Sequence, residues 1–460
     1  MNNIWASLKE ALHGSRRDHT EGSLSKAITM LAIPMVLEMI MESLFAVVDV
    51  FWVSRLGSDA VATVGLTEGL LTTVFAIAMG LAFSTTAFVA RRIGEKDTAG
   101  AVKAAVQAIF LGFVVSLLIG ACGIIYGRDL LQLMGAEPGV LANFRYTQII
   151  LGGSIVVMYL FLLNAVFRGA GDAAIAMRVL WMANIINMVL NPFLIFGIGP
   201  FPRMGVLGSA VGTTIGRGIG VAYQFWCLTR GSSRIHITFS QFQIDWPLMG
   251  RLFRISLNGM LQIFVATASW TAMARIAATF GSAALAGYTL AVRVIIFSIL
   301  PSWGLCNAAA TLVGQCLGAK KPERAVQSVW TAGKFNSVYL SGLAVIYIIF
   351  AERILGIFSD DARVIAIGAD CLRFVTFSYP LVGFGMTMMQ AFNGAGDTRT
   401  PTMVNFVAFW VFQIPLAWGL SKYTGLQERG LFVAIFVAQC AIALLSIYLF
   451  KRGRWQTQRI

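Results

Sequence analysis

From residue 27 to residue 450, long apolar runs alternate with short polar segments. Twelve such runs can be placed, near 27–54, 60–90, 103–126, 140–167, 177–198, 205–229, 250–279, 283–315, 326–350, 364–392, 400–420 and 430–450. About 20 apolar residues suffice for a helix to cross a bilayer, so each run predicts a transmembrane helix. Several exceed that length, and tilting or bending is expected in them. The segment before residue 27 is polar at Arg16-Arg17-Asp18-His19 and lacks a signal-peptide core, so the first span is expected to be retained.

The pattern repeats. Gly169-Ala170-Gly171-Asp172 returns 225 residues later as Gly394-Ala395-Gly396-Asp397, and Leu56-Gly57-Ser58 returns at an offset of 224 as Phe280-Gly281-Ser282. Ile93-Gly94-Glu95-Lys96 likewise returns as Leu317-Gly318-Ala319-Lys320 at the same offset of 224. A constant offset over so much sequence indicates a duplicated unit of half the chain, the usual build of a secondary transporter. With six spans in each unit, the halves share one orientation and are related by an axis along the membrane normal. The expected fold is an all-α integral membrane protein: twelve transmembrane helices in two six-helix lobes with pseudo-twofold symmetry. Its expected parts are an N-terminal segment (1–26), an N-lobe (27–229), a linker (230–249), a C-lobe (250–450) and a tail (451–460).

Composition agrees with this pattern. The chain is 57% hydrophobic and only 12% charged, too apolar for a water-soluble fold. Its net charge of +14 would raise the question of nucleic acid in a soluble protein, but the basic residues sit in loops. One set of alternate loops carries 22 Lys and Arg, the other 7. The positive-inside rule makes the first set cytoplasmic, with both termini inside a bacterial or archaeal cytoplasmic membrane. The six cysteines are scattered without a CxxC pair, so neither a disulfide framework nor a metal site is indicated.

The charges outside the loops are the more informative ones. Glu38, Glu42 and Asp49 share the first span and fall within roughly 40° of one another at about 100° per residue, forming one acidic stripe. An ionisable group at bilayer depth costs about 2–3 kcal/mol or more, so it faces water or a partner and is a functional candidate. Displacing these positions, and Glu68 of the second span, by the 224 offset gives Gln262, Ala266, Met273 and Val292, so no carboxylate recurs in the second half. The flanks of Asp49 are Val47-Val48 and Val50-Phe51, an apolar setting in which a carboxyl is readily protonated. Asn164, Asn187 and Asn191 add amides within apolar spans, as interhelical glue or as part of an ion site. The three histidines lie outside the spans, and neither HExxH, GxSxG nor GxxxxGK[ST] occurs, which leaves an intramembrane enzyme or direct ATP drive little to work with. The glycine row at 212, 216, 218 and 220 reads as close helix packing.

Ala32-Ile33-Pro34, Asp49 fifteen residues after the proline, Val53-Ser54-Arg55-Leu56-Gly57 and the paired Arg/Asn-Gly-Ala-Gly-Asp segments together resemble the multidrug and toxic compound extrusion (MATE) family, closest to its DinF-like branch. The resemblance spans about residues 24 to 450. It implies a two-lobed exporter that exchanges drugs for H⁺ or Na⁺ without a further cofactor. Asp49 matches the coupling carboxylate, Pro34 the kink of the first span, and Asn164, Asn187, Asn191 and Thr213 the polar residues around the carboxylate. Where the branch has Asp-Pro in the fifth span this chain has Asn191-Pro192, which favours H⁺ over Na⁺. The cleft is expected to be lined by Glu38, Glu42, Met39, Met260, Phe264, Met386 and Met389, since methionine and aromatic surfaces beside acids suit organic cations. Expected partners are small organic cations and membrane lipids, with no nucleic acid, and the transporter is expected as a monomer. A flippase for lipid-linked saccharides, of related architecture, is the alternative: Arg275 and Arg293 could hold a pyrophosphate.

Overall fold

The computed structural model describes residues 10–12, 14, 18–231, 233–458 and 460. Lys9, His13, Arg16, Arg17 and Arg459, counted above among the basic or histidine residues, lie outside these. The first half comprises six helical units: α1 (Leu24–Ser54), α2 (Ser58–Gly94), α3 (Thr98–Leu133), α4 (Phe144–Ala170), α5 (Ala173–Phe196) and α6 (Val206–Thr229). The second half holds α7 (Trp246–Ala278), α8 (Ser282–Gly318), α9 (Pro322–Leu355), α10 (Ala362–Thr376 and Tyr379–Gly394), α11 (Arg399–Tyr423) and α12 (Glu428–Lys451). Among the described residues nine of these are long and apolar enough to cross a membrane, or ten with α10 counted as one span bent by 60°. The other two, α6 and α7, are diluted by the glycine row and by polar residues such as Asn258, Gln262 and Thr267. Twelve helices in two six-helix halves is thus the architecture read from the sequence. The spans expected near 140–167 and 364–392 are broken helices, at Gly153 and at Phe377-Ser378, and α11 passes through a π-helical stretch at Phe406–Gln413.

The duplication is visible in the backbone. Positive φ recurs at Gly57 (102°) and Gly281 (101°), at Lys96 (61°) and Lys320 (58°), and at Gly171 and Gly396 (both 86°). The Gly-Ala-Gly-Asp segments are therefore turns. Gly171 and Gly396 take the left-handed conformation that ends α4 and succeeds α10, at little cost for glycine. Each aspartate then anchors a neighbouring segment. Asp172 accepts from Ser233 Oγ (3.0 Å) and the Arg234 N–H (2.8 Å), and Asp397 from Thr400 N (3.1 Å) and Oγ1 (2.6 Å).

The halves meet through their first two helices, α1 against α8 and α7 against α2. This packing lies toward the end of the bundle that carries both termini. Ser84 and Ser256 share a hydrogen bond of 2.6 Å. A Cβ on Gly80 would lie 2.5 Å from the Met260 nitrogen, and one on Gly304 would lie 2.6 Å from the Met35 carbonyl oxygen. Nearest the termini, a side chain on Gly94 would collide with the Gln315 carbonyl, and one on Gly318 with that of Arg91. Segments outside the helices brace the same end. Arg324 donates to the carbonyls of His19, Glu21 and Gly22, Arg91 to that of Gln458, and Ile460 packs beside Gly396 and the core of the first half. The linker also belongs to that core through buried Ile235 and Ile237. At the remote end Val47, Val50, Phe51 and Val61 are exposed instead.

Candidate ion-coupling site and cleft

α1 runs unbroken through Pro34, packed between α5 of its own half and α8 of the other. Its acidic stripe faces α4, α5 and α6, where each acid meets an amide. Glu38, 2% exposed, accepts from Asn164 Nδ2 at 2.9 Å and pairs with Arg168 at 3.4 Å, both on α4. Gln224 of α6 donates to Asn164 Oδ1 at 2.7 Å and holds that amide in place. One helical turn on, Glu42 accepts from Asn184 Nδ2 at 3.1 Å and pairs with Arg217 at 3.5 Å; the guanidinium also lies over the Phe45 ring.

Asp49 differs from both. It is buried, and its Oδ1 accepts from Asn191 Nδ2 at 2.7 Å and from Ser209 Oγ at 3.0 Å. Among the described residues no Lys or Arg nitrogen lies within 4 Å of it, so its immediate partners are neutral. Both hydrogen bonds go to one oxygen, which leaves Oδ2 to carry a proton. Close packing makes the arrangement possible: a side chain on Gly212 of α6 would overlap Asn191 Oδ1, and one on Gly216 would lie 2.7 Å from the Ala183 carbonyl. Gly212, Gly216 and Gly220 are packing positions of the α5–α6 contact, whereas Gly218 of the same row faces open space.

Of the four polar residues expected around Asp49, Asn191 touches it. Asn187 donates instead to Thr213 Oγ1 at 2.8 Å on the same pair of helices, and Asn164 belongs to Glu38. The expected cleft residues divide. Met39 and Glu42 are half-buried on α1, Met260 packs on α2 at Gly80, and Phe264 is 55% exposed. Met386 lies 3.7 Å from Ser302 Oγ, and Met389 is buried with Val404, Phe409 and Ile442 within the second half.

Ser209, Asn184, Arg168 and Arg217 carry contacts that the sequence pattern did not single out. Asn184 could have been found, because with Asn187 and Asn191 it completes an i, i+3, i+7 face. Arg217, a single cation in a glycine-rich apolar run, also carried a signal; Ser209 carried none. Among the described residues no cluster of three His, Cys, Asp or Glu is placed to hold a metal ion.

Two repeated six-helix halves, braced at one end and with acids buried at bilayer depth within the first, define a multi-pass membrane transporter. The sequence matches the MatE family over residues 34–193 and 260–418, and the chain belongs to that family, the multidrug and toxic compound extrusion transporters. It is 23% identical over 438 residues to "Probable multidrug resistance protein NorM" of Thermotoga maritima, covering 95% of this chain and 94% of that one. Its fold is similar to a MOP superfamily transporter from Pyrococcus furiosus, with a TM-score of 0.89, 26% identity, and 96% and 98% of the two chains covered. It is also similar to a structure described as an outward-facing conformation of a multidrug resistance MATE family transporter, with a TM-score of 0.88, 25% identity, and 95% and 97% covered.

Proposed function

We propose that this chain is a secondary active multidrug efflux transporter of the DinF-like branch, exporting cationic amphipathic compounds in exchange for H⁺ by alternating access. It would work in a cytoplasmic membrane with both termini inside. The carrying observation is the contrast within the acidic stripe: Glu38 and Glu42 are ion-paired, whereas Asp49 is held by neutral donors alone. A buried carboxyl with no cation at ion-pair distance, Arg217 acting on it only through space, is a group whose charge a proton readily removes. Deprotonated, Asp49 leaves the polar cluster of α1, α4, α5 and α6 net negative, because Glu38 and Glu42 are each paired with an arginine, and this favours an organic cation. Protonated on Oδ2 from outside, it loses that attraction, and its two hydrogen bonds from Asn191 and Ser209 lose their charge assistance and weaken, which lets α1 repack near Pro34. Asn191 in place of a second carboxylate supports H⁺ over Na⁺.

The test is ethidium efflux from proteoliposomes driven in turn by an H⁺ and a Na⁺ gradient, with wild type and Asp49→Asn. Efflux on H⁺ alone that disappears in the variant is expected. Full Na⁺-driven efflux would overturn the proton reading, and no efflux under either gradient would favour lipid-linked saccharide transport.

A further inference from the structure

The repeat allows depth to be compared across the halves. α2 and α8 match end to end at an offset of 224, so residues 224 apart lie at one depth on opposite sides of the pseudo-twofold axis. At the braced end this symmetry appears as contact: Gly94 meets Gln315, Gly318 meets Arg91, and within each of the pairs Gly94/Gly318 and Arg91/Gln315 the members are 224 apart.

At the remote end α2 and α8 carry two opposite charges. Glu68 lies ten residues into α2 and Arg293 eleven into α8, which is about 15 Å from the helix ends at 1.5 Å per residue. Their repeat mates are Val292 and Gly69, so the charges lie one step apart in depth on facing helices. Both side chains are exposed. Among the described residues neither has an opposite charge within 4 Å; the charges that act on Glu68 through space are Asp49 of its own half and, more weakly, Arg293 of the other. Charges below the membrane interface are costly unless they reach water or one another. Bringing the remote ends together as the braced ends are would close the gap between them.

We propose that Glu68 and Arg293 form the outer gate of the transporter, an ion pair across the two halves that is made when the remote end closes and is not made in this structure. The inference rests on the alternating-access reading above. Closure at the two ends then uses different chemistry: glycine packing on backbone carbonyls at one, a charge pair at the other. A charge pair reopens readily because water and substrate can compete for each partner.

Two measurements test this. Glu68→Lys and Arg293→Glu are each expected to lower H⁺-driven ethidium efflux at least about fivefold, and the double exchange to recover to within about twofold of wild type. A double exchange no better than the single variants, at equal protein abundance, would overturn the gate. Separately, nitroxides at Val61→Cys and Leu285→Cys, which are 224 apart, report the distance across the remote end. The background replaces Cys122 and Cys440, the two cysteines not buried, by serine. A short-distance population in the otherwise wild-type chain that Glu68→Gln loses is expected; an unchanged distribution refutes the proposal. This second readout needs no transport, so absence of ethidium efflux would count against the proposed function while the gate is still tested.

Discussion

The two halves share a fold and diverge in what they bury. In the first, α1 presents two ion-paired glutamates and an aspartate to α4, α5 and α6. In the second, the buried polar cluster is uncharged. Asn336 donates to the Gly383 carbonyl at 3.0 Å and accepts from Ser302 Oγ at 2.7 Å, with Cys306 and Thr387 beside it, while Ser298 meets the Tyr379 hydroxyl at 2.9 Å. A neutral network whose donors and acceptors are matched rigidifies its surroundings. A carboxyl that can gain and lose a proton can bias two conformations. Duplication supplied the frame, and side-chain chemistry assigned coupling to one half and support to the other.

Transplanting the carboxyl gives the largest expected effect. Asp49→Asn should cut H⁺-driven efflux by at least about a hundredfold, and adding Met273→Asp at the repeat-equivalent position should not restore it. Met273 is fully buried among apolar neighbours, with none of the neutral donors that hold Asp49. Rescue by the double variant in the proteoliposome assay would break the comparison.

Asn336→Ala in the second half should cost about 1–3 kcal/mol, because Ser302 and Thr387 lose a buried partner. Thermal unfolding in detergent reads that loss, and the ratio of H⁺-driven to Na⁺-driven efflux should stay at the wild-type value. A changed ratio would place coupling in both halves.

His19, in the segment that bridges the halves ahead of α1, offers a pH test. Burial, and next the nearby Arg234, push its imidazole down to about 4; Asp18 opposes this and Arg324 adds to it. The folded state therefore binds fewer protons than the unfolded one. The contribution of this contact is complete above about pH 6.5 and is lost as pH falls from there toward 4, the loss reaching roughly 2 kcal/mol at pH 5. Hydrogen exchange of residues 18–23 should rise over that window, and His19→Gln should flatten the rise.

The smallest effect expected is at Arg217. Arg217→Gln leaves Glu42 without its cation, so ethidium binding monitored by fluorescence should tighten by about threefold to tenfold. Weakened binding would show that the guanidinium orders the cleft rather than competing for Glu42.

Periodicity and repetition in the sequence determined the class, the number of helices, their division into halves and the acidic stripe of α1. The reason is physical. A bilayer demands about 20 apolar residues per crossing, and an ionisable residue within such a run carries a cost that marks it out. The partners of each acid were decided only by the tertiary structure, because they are set by the rotation of α4, α5 and α6 about their own axes, which a local pattern does not encode. Thus Ser209, one small hydroxyl in an apolar run, became a ligand of Asp49, while Asn164 and Asn187 turned to Glu38 and Thr213. The bend of α10 and the bracing of one end by glycine contacts likewise arise from packing between segments distant in the chain, where the backbone of one element fixes what its neighbour can hold.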